Sequence, residues 1–241
     1  MVEHLFDTVS ERLAPHLVEP RALTRHTLPV DDAFAPLFPD GGLVRGTSVA
    51  LGADPATGGA TSLALAVAAA PSRTGSWVAV AGFPNLGFAA LEGCGMDPGH
   101  VLVVPRLPSA VWARALAVLV AAVDVVVLGP PSGGSSGGSV PPRAGRRLAT
   151  AARERGAVVL TAGWEVPGFD PAVRLEVVAS RWEGVEEGHG HLTARRVEVA
   201  RTGRAAAARP LRRALWLPDA DGRVRPAPDD ATVLRWPGAG R

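Results

Sequence analysis

The residues that come closest to a working site run from Gly52 to Ser62, in the order Gly-Ala-Asp-Pro-Ala-Thr-Gly-Gly-Ala-Thr-Ser. A phosphate-binding loop needs glycines so that backbone N–H groups can close around an anion. It also needs a lysine to reach the outer phosphates and a Ser or Thr hydroxyl to hold magnesium. Gly52, Gly58, Gly59, Thr61 and Ser62 supply the glycines and hydroxyls. The lysine is missing. Ala60 stands before Thr61, and Gly52 and Gly59 are two residues too far apart, while counting from Gly58 puts Gly59 in the lysine position. Loss of one charge-assisted contact to a phosphate weakens binding by about 1.5–3 kcal/mol, and Asp54 adds a negative charge. A metal-holding acid belongs at the end of a later strand. The apolar run 123–128 ends instead in Gly129, with Asp124 at its beginning as a capping or turn residue. The residues therefore predict a relic loop with no catalytic residue and no cofactor. ATP hydrolysis is not expected, and weak nucleotide binding is the alternative.

Other patterns point to chemistry less well. Gly133, Ser135 and Gly137 spell G-x-S-x-G, but a nucleophile elbow must turn sharply from strand to helix, and Ser135 lies in a glycine–serine run. His189 and His191, with Glu186 and Glu187, lack a third fixed ligand and read as a solvated hairpin tip, so no metal is expected. Residues 192–213 carry seven arginines against Glu198. Within them Arg195, Arg196, Arg201 and Arg204 are candidates to meet an anion or a partner. Phosphate backbones would suit them, but no aromatics are interleaved to stack bases, so a protein-binding or solvated face is the preferred reading. Val2, Leu5, Phe6, Val9 and Leu13 recur at helical spacing. They predict a short amphipathic helix that docks on its own core or on a partner.

The elements that position these residues follow from the apolar spacing. Strands are expected at 47–51, 77–81, 101–104, 123–128 and 157–161. Helices are expected at 61–70, 87–93, 110–122 and 143–155. Residues 173–182 and 192–202 read as an antiparallel pair joined by a turn, with a further short strand at 211–217. Strands apolar throughout and alternating with helices predict an α/β fold, a mostly parallel sheet with helices on both faces and a C-terminal antiparallel hairpin. The division expected is an N-terminal helix and Pro-rich extended linker over 1–40, a core over 41–217 and a polar tail over 218–241.

The chain has 241 residues, 47% of them hydrophobic and 20% charged, enough to bury a sizeable core. All 25 basic residues are arginine, and tyrosine is absent. Schiff-base and lysine-base chemistry are thereby excluded. The pI of 9.8 accompanies a net charge of only +2, because little titrates between histidine and arginine, so it is weak evidence for nucleic acid. Residues 1–12 lack a basic and then apolar leader, and no apolar run is long enough to span a membrane. A cytoplasmic location is the expectation. Cys94 is alone, which excludes an internal disulfide.

The order of these elements resembles the RecA/RadA ATPase core. Gly42-Leu-Val-Arg-Gly46-Thr-Ser-Val-Ala-Leu-Gly52 resembles the family's approach to its phosphate loop, and Thr61-Ser-Leu-Ala-Leu65 the helix after it. Ala122-Val-Asp124-Val-Val-Val-Leu128 resembles the strand carrying the metal-binding acid, and 143–161 and 173–202 the following helix, strand and closing hairpin. The similarity covers roughly residues 41–213. It implies that the phosphate-loop lysine has become Gly59 or Ala60, the metal acid Gly129, and the water-activating glutamate a residue near Gly82. The two DNA-binding loops would fall in the glycine–serine run and in 162–171.

Trp182-Glu-Gly184, Gly188-His-Gly190-His191 and Arg195-Arg-Val-Glu-Val199, with the lysine-free style, are more closely similar to the short degenerate RecA-like proteins of the ImuA type. That resemblance implies an accessory of DNA-damage-induced (SOS) mutagenesis and translesion synthesis. Its partners would be an ImuB-like protein, itself a Y-family polymerase relative, and an error-prone polymerase, with RecA as a further candidate and DNA met only indirectly or weakly. The alternatives are an NTPase with an atypical loop and a DNA-binding accessory that uses the Arg-rich hairpin.

Overall fold

A computed structural model of the chain describes residues 26–131, 140–186 and 189–228. Nine strands form one sheet. Its parallel part is built from β3 (Ser48–Ala53), β4 (Val78–Ala81), β5 (Val101–Val104), β6 (Val125–Leu128), β7 (Val158–Ala162) and β8 (Val173–Glu186). β9 (His189–Gly203), β10 (Leu211–Trp216) and β11 (Arg225–Pro226) continue the sheet beyond β8, each antiparallel to the strand before it. The order across the sheet is β11-β10-β9-β8-β3-β7-β6-β4-β5, which puts β3 in the interior between β7 and β8. A two-stranded ladder of β1 (Thr27–Leu28) and β2 (Leu43–Val44) stands apart from it.

Side-chain alternation divides the core in two. Val78 and Val80, Val125 and Val127, and Val158 and Leu160 pack on one face, with α1 (Ala60–Arg73) and Leu91 of α2 (Phe88–Gly93). Ala79 and Ala81, Val126 and Leu128, and Val159 pack on the other, with α3 (Trp112–Ala122) and α4 (Pro142–Arg155). Strands covered on both faces need apolar residues at every position, which is why β4 and β6 read Val-Ala-Val-Ala and Val-Val-Val-Leu. α1 is buried along most of its length. α4 is amphipathic, burying Ala144, Gly145, Leu148 and Ala152 and ending on the left-handed Gly156.

The mostly parallel sheet, helices on both faces and C-terminal antiparallel strands are thus as expected. Two stretches differ. The run read as an extended linker is, from His26 on, packed on the core. Phe34 and Leu37 are fully buried, Leu28 and Phe38 nearly so, and Asp31 pairs with Arg73 of α1. Its prolines punctuate a strap whose apolar residues join the buried cluster on the α1 face of the sheet. The polar stretch after Leu217 returns as β11 to pair with β10, and the strands of the β8–β9 hairpin reach into what read as its turn. The predicted N-terminal helix with Val2, Leu5, Phe6, Val9 and Leu13, the run holding Ser135, and residues 187–188 and 229–241 lie outside the described residues. Among the described residues no helix is long and apolar enough to cross a membrane.

Candidate functional site

The glycine loop follows β3 at the carboxyl edge of the parallel strands. Asp54 turns it. Its carbonyl accepts the N–H of Thr57 and of Gly58 (both 2.9 Å), and its carboxylate accepts the N–H of Ala56 (2.8 Å). The acid that counted against phosphate binding is therefore the pivot of the turn. The Thr57 hydroxyl ties the loop to the sheet through the carbonyl of Val177 (3.1 Å). Gly58 and Gly59 both have positive φ, +62° and +104°, and Gly59 caps α1 with no side chain to accept its first N–H groups. Thr61 and Ser62 sit in the first turn of α1 and line the open pocket beside it, about 480 Å³. Gly52 is not part of the loop. It lies within β3, opposite Glu176 of β8.

A side chain from the far end of the sequence ties the loop down. Arg195 of β9 stands opposite Trp182 of β8, with its guanidinium carbon 5.5 Å from the indole centroid. Its Nη2 donates to the carbonyls of Thr57 (2.9 Å) and Gly58 (3.1 Å). A Cβ on Gly59 would lie 2.6 Å from Arg195 Nη1 and would sit on a backbone φ that L side chains rarely adopt, so glycine is favoured there. Arg195 is 6% exposed, its Nε has no hydrogen-bond partner among the described residues, and burial lowers its pKa from the usual arginine value.

At the two places where the resemblance puts carboxylates, backbones meet. A Cβ on Gly129 would lie 2.7 Å from the carbonyl oxygen of Gly82, and one on Gly82 3.0 Å from that of Gly129. Asp124 lies before the start of β6, where Arg45 Nη1 donates to its Oδ1 and the Trp77 N–H to its Oδ2, both at 3.0 Å.

The other arginines singled out in the sequence are dispersed. Arg201 is 7% exposed and donates to the carbonyl of Arg209 (2.6 Å). Arg196 reaches the carbonyl of Pro228, and Arg204 pairs with Asp170. Arg195, Val197, Val199 and Arg201 share one face of β9 by simple alternation, so two arginines bracket the buried valines. Arg195 and Arg201 thus leave the exposed face expected for them, and that alternation was the signal available. Among the described residues no group of three or more His, Cys, Asp or Glu could hold a metal. Trp182 as the partner of Arg195 has no signature in the sequence.

A family model described as the MT3502 N-terminal domain matches residues 36–168, more than half of the chain. No curated protein matches it.

Proposed function

The chain belongs to the MT3502 N-terminal domain family, and we propose that it acts as a non-catalytic adaptor with a degenerate RecA-like core. The observation that carries this reading is the occupation of the glycine loop by Arg195, which binds the loop's carbonyls from within the same chain. A loop held in this way keeps its shape without a nucleotide. Such a core offers surfaces rather than chemistry. The setting we propose is DNA-damage-induced translesion synthesis. The adaptor would bind an ImuB-like, Y-family-related protein and its error-prone polymerase, with RecA as a second partner. The apolar face of Val2, Leu5, Phe6, Val9 and Leu13 is the proposed contact.

ATP and magnesium test the non-catalytic part. No hydrolysis above background is expected, and a turnover at ordinary ATPase rates that Thr61→Ala abolishes would overturn it. Co-purification from DNA-damaged cells tests the partner. The full chain should retain a polymerase-like protein that Phe6→Asp releases, since a carboxylate in an apolar seam costs several kcal/mol. Equal retention by the variant would remove the helix from the contact.

A further inference from the structure

At the end of β3 away from the glycine loop, a second cleft of about 360 Å³ opens between the start of that strand, α4 and the loop 163–172. Arg146, Thr150 and Arg153 line it from α4. Their spacing of four and three residues puts them on one stripe of the helix. Ser48 lines it from the strand, and Phe169 and Arg204 from the other side. Its carboxylate, on Asp170, is already paired with Arg204 at 2.7 Å. Arg146 and Arg153 have no hydrogen bond or ion pair with any described residue, and neither do the hydroxyls of Ser48 and Thr150. The walls are preformed: a Cβ on Gly145 would lie 2.1 Å from the carbonyl oxygen of Pro167, so loop and helix meet there backbone to backbone.

Two exposed arginines and two hydroxyl side chains lining one cleft, with no acceptor among the described residues, suit an oxyanion, and the planar fork of arginine matches phosphate in particular. The volume exceeds a bare phosphate and lies within the range of small-molecule sites. Phe169 gives the remaining wall an apolar character. We propose that this cleft binds a nucleotide-sized phosphate ester, free or as one unit of a single strand, with the phosphate held by Arg146, Arg153, Ser48 and Thr150. The proposal is independent of the adaptor reading.

The test uses the full chain with two probes, adenosine 5′-monophosphate by calorimetry and a labelled oligothymidylate by fluorescence anisotropy, at low and at physiological salt. At least one should bind saturably. Arg146→Gln with Arg153→Gln should weaken it more than about tenfold, as loss of two charge-assisted contacts requires. Arg143→Gln with Arg147→Gln removes the same charge from exposed positions of α4 that do not line the cleft, and should change affinity by less than about threefold. Ser48→Ala with Thr150→Ala removes no charge and should still weaken the same probe by about threefold or more. Mononucleotide binding identifies a free ligand, and binding of the strand alone, with steep salt dependence, identifies nucleic acid. Failure of both probes to bind overturns the proposal. So does equal weakening by the two arginine pairs, which would mark a diffuse basic surface.

Discussion

Arg195, itself buried, donates to two carbonyls of the glycine loop while lying over the exposed Trp182. Hydrogen bonds from a charged donor contribute about 1.5–3 kcal/mol and a cation–π contact about 0.5–2 kcal/mol. The unpartnered Nε offsets part of that gain. Arg195→Ala should therefore destabilise the chain by about 2–3 kcal/mol, read as a lower urea midpoint. Arg195→Lys should recover only a fraction, because a point charge cannot span both carbonyls and the ring together. An unchanged midpoint in the alanine variant would show that the loop stands without its latch. The glycines and hydroxyls of the loop are readable in sequence, and so is the missing lysine. The latch is not. It depends on Trp182 facing Arg195 across a hairpin whose register shifts twice, between Val177 and Ala179 and between Glu183 and Val185. Counting from a turn cannot recover that pairing.

The strap from Thr27 to Phe38 shows the same limit at the level of elements. Apolar period gave every strand of the parallel sheet and every helix over it to within a few residues, since two-sided burial leaves a strong signature. The strap is too short and too broken by proline to show a period. Pro29, Pro36 and Pro39 read as linker, and although Phe34, Leu37 and Phe38 stand at i, i+3 and i+4, that spacing covers only the single 3-10 turn Ala35–Leu37. What holds them is a buried cluster drawn from distant elements, so their burial is a tertiary fact. Phe34 is fully buried in the cluster that contains α1. Phe34→Ala should cost about 3–5 kcal/mol and lower Tm accordingly. Deletion of residues 1–14 should lower Tm by less than Phe34→Ala does, while weakening partner association more. A deletion that abolishes folding, with affinity per folded molecule unchanged, would make that segment structural instead.

Across the whole molecule, the family match ends at residue 168 but the core does not. The cluster on the α1 face draws on Leu28, Phe34 and Leu37 from the strap, Val49 and Leu51 from β3, and Leu175, Val177, Val197, Val199 and Leu215 from the C-terminal strands. β3 itself pairs with β7 on one side and β8 on the other. Removing everything beyond residue 168 would leave β3 as an open edge and strip one flank from that cluster. An unpaired, flat, apolar edge strand recruits other chains, and the core side chains left facing water lose burial of about 1.5–3 kcal/mol each, a large part of an ordinary domain's net stability of about 5–15 kcal/mol. Residues 1–168 expressed alone should therefore aggregate or lack a cooperative thermal transition. Residues 1–228, which keep all the described strands of the sheet, should melt as one unit within a few degrees of the full chain. Circular dichroism melts and sedimentation of the two fragments decide the matter. A monomeric 1–168 fragment that melts cooperatively near the full-length Tm would show that the matched segment is a domain in its own right and the antiparallel strands an accessory to it.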